Sequence, residues 1–299
     1  MKAIVPILAV LVASACAGEG PVHRPAGDEP RPPEAAWAEP VAVGRVRDRR
    51  IREASGLAAA GNDASLLWTL NDSGNPPLLF SIDLTGKTRA ILRLEGATNR
   101  DWEALARGPG QEDGASYLYV GDIGDNLAEL TEIVVYRVPE PDLPAAGKAR
   151  LERRADALRF RYPDGSHDAE ALALHPASGD LYILTKAEGR ATVYRAAAPL
   201  ESSSILELER VGRIDLPGAE AATGADISPD GHALAVSTYG HVYEFPLRVE
   251  DDRISFGPPI QVPTGFRPQG ETVAYALDGD AVITTSERPG SFIWLTERN

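Results

Sequence analysis

Five positions recur along the chain with one local grammar. Ser55, Glu103, Glu170, Thr223 and Glu271 each open a short apolar strand pattern that runs through a turn cluster into a second apolar strand. Three of the five are glutamates. If the repeats close into a ring, the carboxylates of Glu103, Glu170 and Glu271 face one axis. Like charges brought together in a small space repel unless protons or a cation neutralise them. A hard cation that takes several oxygen ligands in flexible geometry suits such a set, so calcium is the expected metal on these three residues. Ser55 and Thr223 hold the same position in the other two repeats and offer neutral oxygens. The competing role is structural: the same carboxylates can accept strand-end N–H groups or pair with arginines such as Arg100 and Arg288.

A second set lies in the loops after the second strands. Asn71-Asp-Ser-Gly-Asn75 and Gly121-Asp-Ile-Gly-Asp-Asn126 match in kind, and the corresponding loops elsewhere carry Lys186 and Arg288. Asp72, Asp122, Asp125, Asn126, Lys186 and Arg288 therefore form a candidate ligand site on one rim. Turn chemistry alone also favours Asp, Asn, Ser and Gly at such places. No catalytic residue is marked. His167 stands beside Asp168 without a nucleophile, and the chain has no Gly-x-Ser-x-Gly elbow, phosphate-binding glycine loop or Cys/His zinc spacing.

The elements that must position these residues are short strands. The five equivalent positions are 48, 67, 53 and 48 residues apart, and multi-stranded repeats of roughly 40–50 residues are the mark of propeller blades. The expected fold is all-β, a five-bladed β-propeller, with six blades as the alternative. Only 29 residues follow Glu271, so the fifth repeat lacks a fourth strand. Val41 to Val46 is a spare strand at the other end of the chain. An N-terminal strand completing the last blade closes the ring and removes an exposed edge. The Ala/Arg-rich stretch from Pro144 to Leu158 is a candidate short helix, weakened by Gly147.

The 299 residues carry a formal net charge of −14, which argues against binding a phosphate backbone. Lys2, the apolar run Ile4 to Val12 and Ala13-Ser-Ala before the single cysteine, Cys16, read as a lipoprotein signal peptide over residues 1–15. Residues 16–36, rich in Pro, Gly and charge, read as a disordered tether, and residues 37–299 as the propeller domain. The expected location is the bacterial cell envelope, extracytoplasmic and anchored to a membrane through lipidated Cys16, with a monomeric body.

Several segments resemble the secreted bacterial β-propellers of the SdiA-regulated type and the related proteins described as phytase-like esterases. They are Glu53-Ala-Ser-Gly-Leu, Asn71-Asp-Ser-Gly-Asn-Pro-Pro, Asn99-Arg-Asp-Trp-Glu, Tyr119-Val-Gly-Asp-Ile-Gly-Asp-Asn, Thr223-Gly-Ala-Asp-Ile-Ser-Pro-Asp-Gly and Gln269-Gly-Glu. The resemblance covers roughly residues 40–297 and implies a small propeller with calcium in its channel. Two functions stand side by side: a module that binds an envelope protein or a small ligand, and a calcium-dependent phosphoesterase or esterase. Phytase-type propellers hold basic residues for phosphate, whereas this rim offers only the scattered Lys186 and Arg288.

Overall fold

The computed structural model describes residues 37–144, 147–250 and 253–299. The expected signal peptide and tether, and Cys16 with them, lie outside the described residues.

In chain order, β1 (Val41–Arg45) precedes a first run of β2 (Ala54–Ala59), β3 (Leu66–Asn71), β4 (Leu78–Asp83) and β5 (Thr88–Glu95). Next come β6 (Trp102–Pro109), β7 (Ser116–Asp122), β8 (Ile133–Pro139), β9 (Ala149–Arg154) and β10 (Asp156–Arg161). The third run holds β11 (Ala169–Leu174), β12 (Leu181–Thr185), β13 (Arg190–Ala196), β14 (Ile205–Glu207) and β15 (Glu209–Asp215). The fourth holds β16 (Gly224–Ile227), β17 (Ala233–Ser237), β18 (Val242–Glu250), β19 (Arg253–Phe256) and β20 (Ile260–Val262), and the fifth β21 (Ala274–Tyr275), β22 (Ala281–Thr284) and β23 (Phe292–Glu297).

These strands form five mainly antiparallel sheets, and the described residues contain no helix. The innermost strands β2, β6, β11, β16 and β21 pack against one another in cyclic order, so the sheets are the blades of a closed five-bladed propeller. Ring closure follows from the N-terminal strand. β1 pairs antiparallel with β23, with Val41 opposite Leu295 and Arg45 opposite Phe292. Just outside it, Ala38 N–H donates to Glu297 O at 2.8 Å. The Arg298 guanidinium lies 4.0 Å from the Trp37 ring centroid and pairs with buried Glu244.

Small residues let the inner strands meet near the axis. A Cβ added at Gly56 would lie 2.6 Å from Leu105 N, and one at Gly224 would lie 2.6 Å from Glu271 O. All five apolar clusters span neighbouring blades, which explains how short strands reach a common core.

One stretch differs from the sequence expectation, and two further outer-strand arrangements stand beside it. The stretch considered for a helix is a strand: β9 adds in parallel to the outer edge of β5, Ala90 facing Ala149 through Glu95 facing Arg154. Its Ala149-Arg-Leu-Glu alternation puts Ala149 and Leu151 against the blade-one core, and the open edge of β5 supplies backbone partners that a helix would leave unused. Leu206 lies on β14, which follows β13 in the chain yet adds in parallel to β10 of the second blade. In the fourth blade β19 and β20 are separate short strands, both pairing with the long β18.

Candidate cation site at the channel mouth

The five equivalent residues lie at the entry end of the innermost strands. In β2, β6 and β11 the pairing register shifts across Ala54/Gly56, Trp102/Ala104 and Ala169/Ala171. Ser55, Glu103 and Glu170 are the bulged residues, freed from the ladder at the place where a bulge re-aims a side chain. One backbone clasp repeats beside them. Asp72 N–H donates to Glu53 O, Gly124 N–H to Asp101 O, Lys186 N–H to Asp168 O and Glu287 N–H to Gln269 O, at 2.9–3.3 Å. Each acceptor stands two residues before the equivalent position. The clasp therefore brings the residue after the second strand against the start of the first, and with it Asp72, Lys186 and Glu287.

The result is a dense set of acids. Carboxylate oxygens of Asp72, Asp101 and Glu103 lie within 4.8 Å of one another. Ser55 Oγ contacts Glu103 Oε2 and its backbone oxygen, both at 3.1 Å. Lys186 Nζ donates to Glu170 Oε1, while Glu170 Oε2 is buried without a hydrogen-bond partner among the described residues. Glu103, Glu170 and Glu271 are each only 5–6% exposed.

Burial, then the neighbouring acids Glu170, Asp72, Asp101 and Glu271, push the Glu103 carboxyl up to about 10. Burial and the adjacent Glu287 raise Glu271. Glu170 is raised mainly by burial, with Lys186 pulling the other way. Asp72, Asp101 and Glu287 are also raised, chiefly by burial. The three metal-ligand candidates thus share one electrostatic field, but their nearest partners differ: Asp72 and Asp101 for Glu103, Lys186 for Glu170, Glu287 for Glu271.

The rim candidates divide. Asp72 belongs to the acidic set, and Lys186 bridges to it through Glu170. The Lys186 ammonium also lies 5.6 Å from the Tyr239 ring centroid, and with Asp168 and Tyr239 it lines a cleft of about 480 Å³. Asp122 is buried and accepts Asp101 N–H at 2.8 Å, holding the loop that carries Asp101. Asp125 accepts the N–H groups of Glu129 and Leu130, and its own N–H donates to Asp168. Asn126 and Arg288 are exposed, Arg288 with a left-handed backbone at φ 83°. Gly124 permits close approach, since a Cβ there would lie 2.3 Å from Asp101 Oδ2.

Asp101, Asp168 and Glu287 are site residues that the sequence pattern alone does not single out. A signal for two of them is present: Asp101-Trp-Glu103 and Asp168-Ala-Glu170 place an acid two residues before each glutamate. Glu287 occupies the position that Asp72 and Lys186 hold in their blades.

No family profile and no curated protein matches this sequence. Among solved structures, the chain is similar to a protein from Thermus thermophilus described as an oxidoreductase (glucose dehydrogenase). The likeness has a TM-score of 0.48 and 13% identity, over 87% of this chain and 99% of that one.

Proposed function

We propose that this chain is a cation-stabilised propeller acting as a binding module at the outside of a bacterial cell envelope, of the SdiA-regulated or phytase-like kind. It presents its acidic mouth and the adjoining cleft to a small ligand or an envelope protein, and lipidated Cys16 holds it at a membrane. The observation that carries the cation is the convergence of Asp72, Asp101 and Glu103 beside the unpartnered Glu170 Oε2. At an effective dielectric of about 20, two charges 4.8 Å apart repel by roughly 3.5 kcal/mol, too much to leave uncompensated in several pairs. Calcium–oxygen distances of about 2.3–2.6 Å let ligand oxygens stand up to roughly 5 Å apart across the ion, which fits this spread. The donors are all oxygen, with no histidine or cysteine in the set, and this favours a hard cation over zinc.

Calcium bound here would neutralise the mouth and tie blades one and two together through Asp72, Asp101 and Glu103. Ser55 orients Glu103 by its hydrogen bond. Lys186 serves Glu170 as a resident cation and sets how much of that carboxylate remains for the metal.

A calcium-dependent phosphoesterase needs cationic side chains open to phosphate. Lys186 is committed to Glu170 and Arg100 lies 3.7 Å from the Asp122 carboxylate, which leaves Arg288 as the one exposed cation of the rim candidates and supports binding over hydrolysis. Screening the purified protein against phosphate and carboxyl esters, with calcium and with chelator, separates the two. The binding module turns over neither, whereas calcium-dependent release of phosphate or alcohol would establish the enzyme. Cys16→Ser is expected to abolish detergent partitioning and leave the propeller folded; partitioning that survives would remove the lipid anchor.

A further inference from the structure

The channel has a second mouth, at the far ends of the same inner strands. A cavity of about 500 Å³ opens there, lined from all five blades by residues that include Ala58, Arg107, Leu174, Asp226 and Tyr275. Its size falls in the range of small-molecule pockets. Its lining residues are mostly small, with Leu174 and Ala58 among the apolar ones and Arg107 and Asp226 the one cation and one anion, and polar atoms make up the larger part of the surface they present. Asp226 lies on β16 and accepts Tyr275 N–H through Oδ2 at 2.8 Å. Arg107 lies on β6, its Nη1 3.4 Å from Ser116 Oγ. Ser116 Oγ in turn donates to Glu140 Oε2 at 2.7 Å, and Glu140 is also held by Gly61 N–H and Trp68 Nε1.

Among the described residues, neither Arg107 nor Asp226 has an opposite charge within the 4.0 Å of an ion pair. They still feel each other: burial raises the Asp226 carboxyl to about 7 against the opposing pull of Tyr275 N–H and of Arg107, the one cation that acts on it. Two opposite charges on facing walls of one cavity, each lacking an ionic partner, are the complement of a molecule that carries both charges itself. A simple anion would satisfy Arg107 and leave Asp226 uncompensated, and a simple cation would do the reverse.

We propose that this second mouth binds a small zwitterion of the amino-acid class, its carboxylate on Arg107 and its ammonium on Asp226. Glycine is too small to use the apolar walls, so an aliphatic side chain lying against Leu174 and Ala58 adds contact. The site is at the opposite end of the channel from the acidic mouth and does not depend on the cation there.

The test is isothermal titration of the purified protein with L-leucine, L-alanine and γ-aminobutyrate, beside N-acetyl-L-leucine and L-leucinamide as single-charge analogues. At least one zwitterion is expected to bind, with both analogues weaker by about tenfold or more, the usual scale for losing one buried charge contact. Arg107→Gln and Asp226→Asn should each weaken binding to a similar degree. Asp226→Asn keeps an acceptor for Tyr275 N–H, and circular dichroism reports its fold. Chemical-shift perturbation of the wild-type protein supplies the reading if either variant fails to fold, with changes expected at Ala58, Arg107 and Ile227 and not at Asp72. Failure of every zwitterion to bind at about 10 mM, a concentration that detects even millimolar affinity, would overturn the proposal. So would equal binding of leucinamide, wild-type affinity in both variants, or shifts confined to the acidic mouth.

Discussion

Glu103 is the residue on which the acidic mouth turns, because it is buried, touches Ser55 and lies against both Asp72 and Asp101. Replacing it by Gln keeps the shape and removes one charge. Glu103→Gln is expected to stabilise the calcium-free protein by about 1–2 kcal/mol at pH 8, since a tenfold change in proton affinity corresponds to about 1.4 kcal/mol. The same change should weaken calcium binding at least about tenfold. Urea unfolding in chelator and calorimetric titration check the two halves. Lys186→Met is expected to act the other way on the metal: it removes the ammonium from Glu170 and frees that carboxylate, so calcium should bind more tightly in the same titration. Glu103, Glu170 and Glu271 are legible in the sequence as one recurring position, because the repeat is copied faithfully there. Asp101 and Asp168 stand two residues earlier in the same motifs, yet their role depends on the backbone clasp that pulls the loop ends inward. Asp122 and Asp125 look like ligands by type. Asp122 Oδ1 and both Asp125 oxygens accept backbone N–H groups, and residue type alone does not distinguish such an acceptor from a ligand.

At the scale of strands, ring closure is legible because the last repeat is one strand short and the chain begins with a spare one. The pairing of Val41 with Leu295 realises it. Less legible are β9 and β14, which leave one blade to back the outer edge of the preceding one. Nothing in a local apolar pattern names a distant parallel partner. Closure also rests on a buried pair. Glu244 and Arg298 are both nearly inaccessible, and Tyr275 O–H donates to Glu244 Oε1 at 2.7 Å. Arg298→Ala leaves Glu244 without its cation and should cost about 3–5 kcal/mol, the range for breaking a buried pair from one side. Urea unfolding reads that loss, and Arg298→Ala combined with Glu244→Gln should recover part of it. Deleting residues 37–50 removes β1 and is expected to abolish the cooperative unfolding transition, whereas a retained transition would show that the ring holds without it.

The whole molecule carries net charge −14, and a buried share of its acidity is gathered at one mouth. Those carboxyls have folded-state pKa values raised above their unfolded ones, so the folded protein binds more protons than the unfolded chain in between. Their contribution to stability is present below the ordinary carboxyl range and is lost as pH rises through the raised values. With Glu170 pushed up to about 7, Glu271 to about 9 and Glu103 to about 10, calcium-free protein should lose stability steadily from about pH 5 to about pH 10. Calcium replaces the bound protons and should flatten that slope. Calcium stabilisation of the acidic mouth is read by differential scanning calorimetry at about pH 8, first in chelator and then across free calcium from micromolar to millimolar. The melting temperature is expected to rise with the logarithm of free calcium, with a reduced slope in Glu103→Gln. A melting temperature identical in chelator and in millimolar calcium would contradict it.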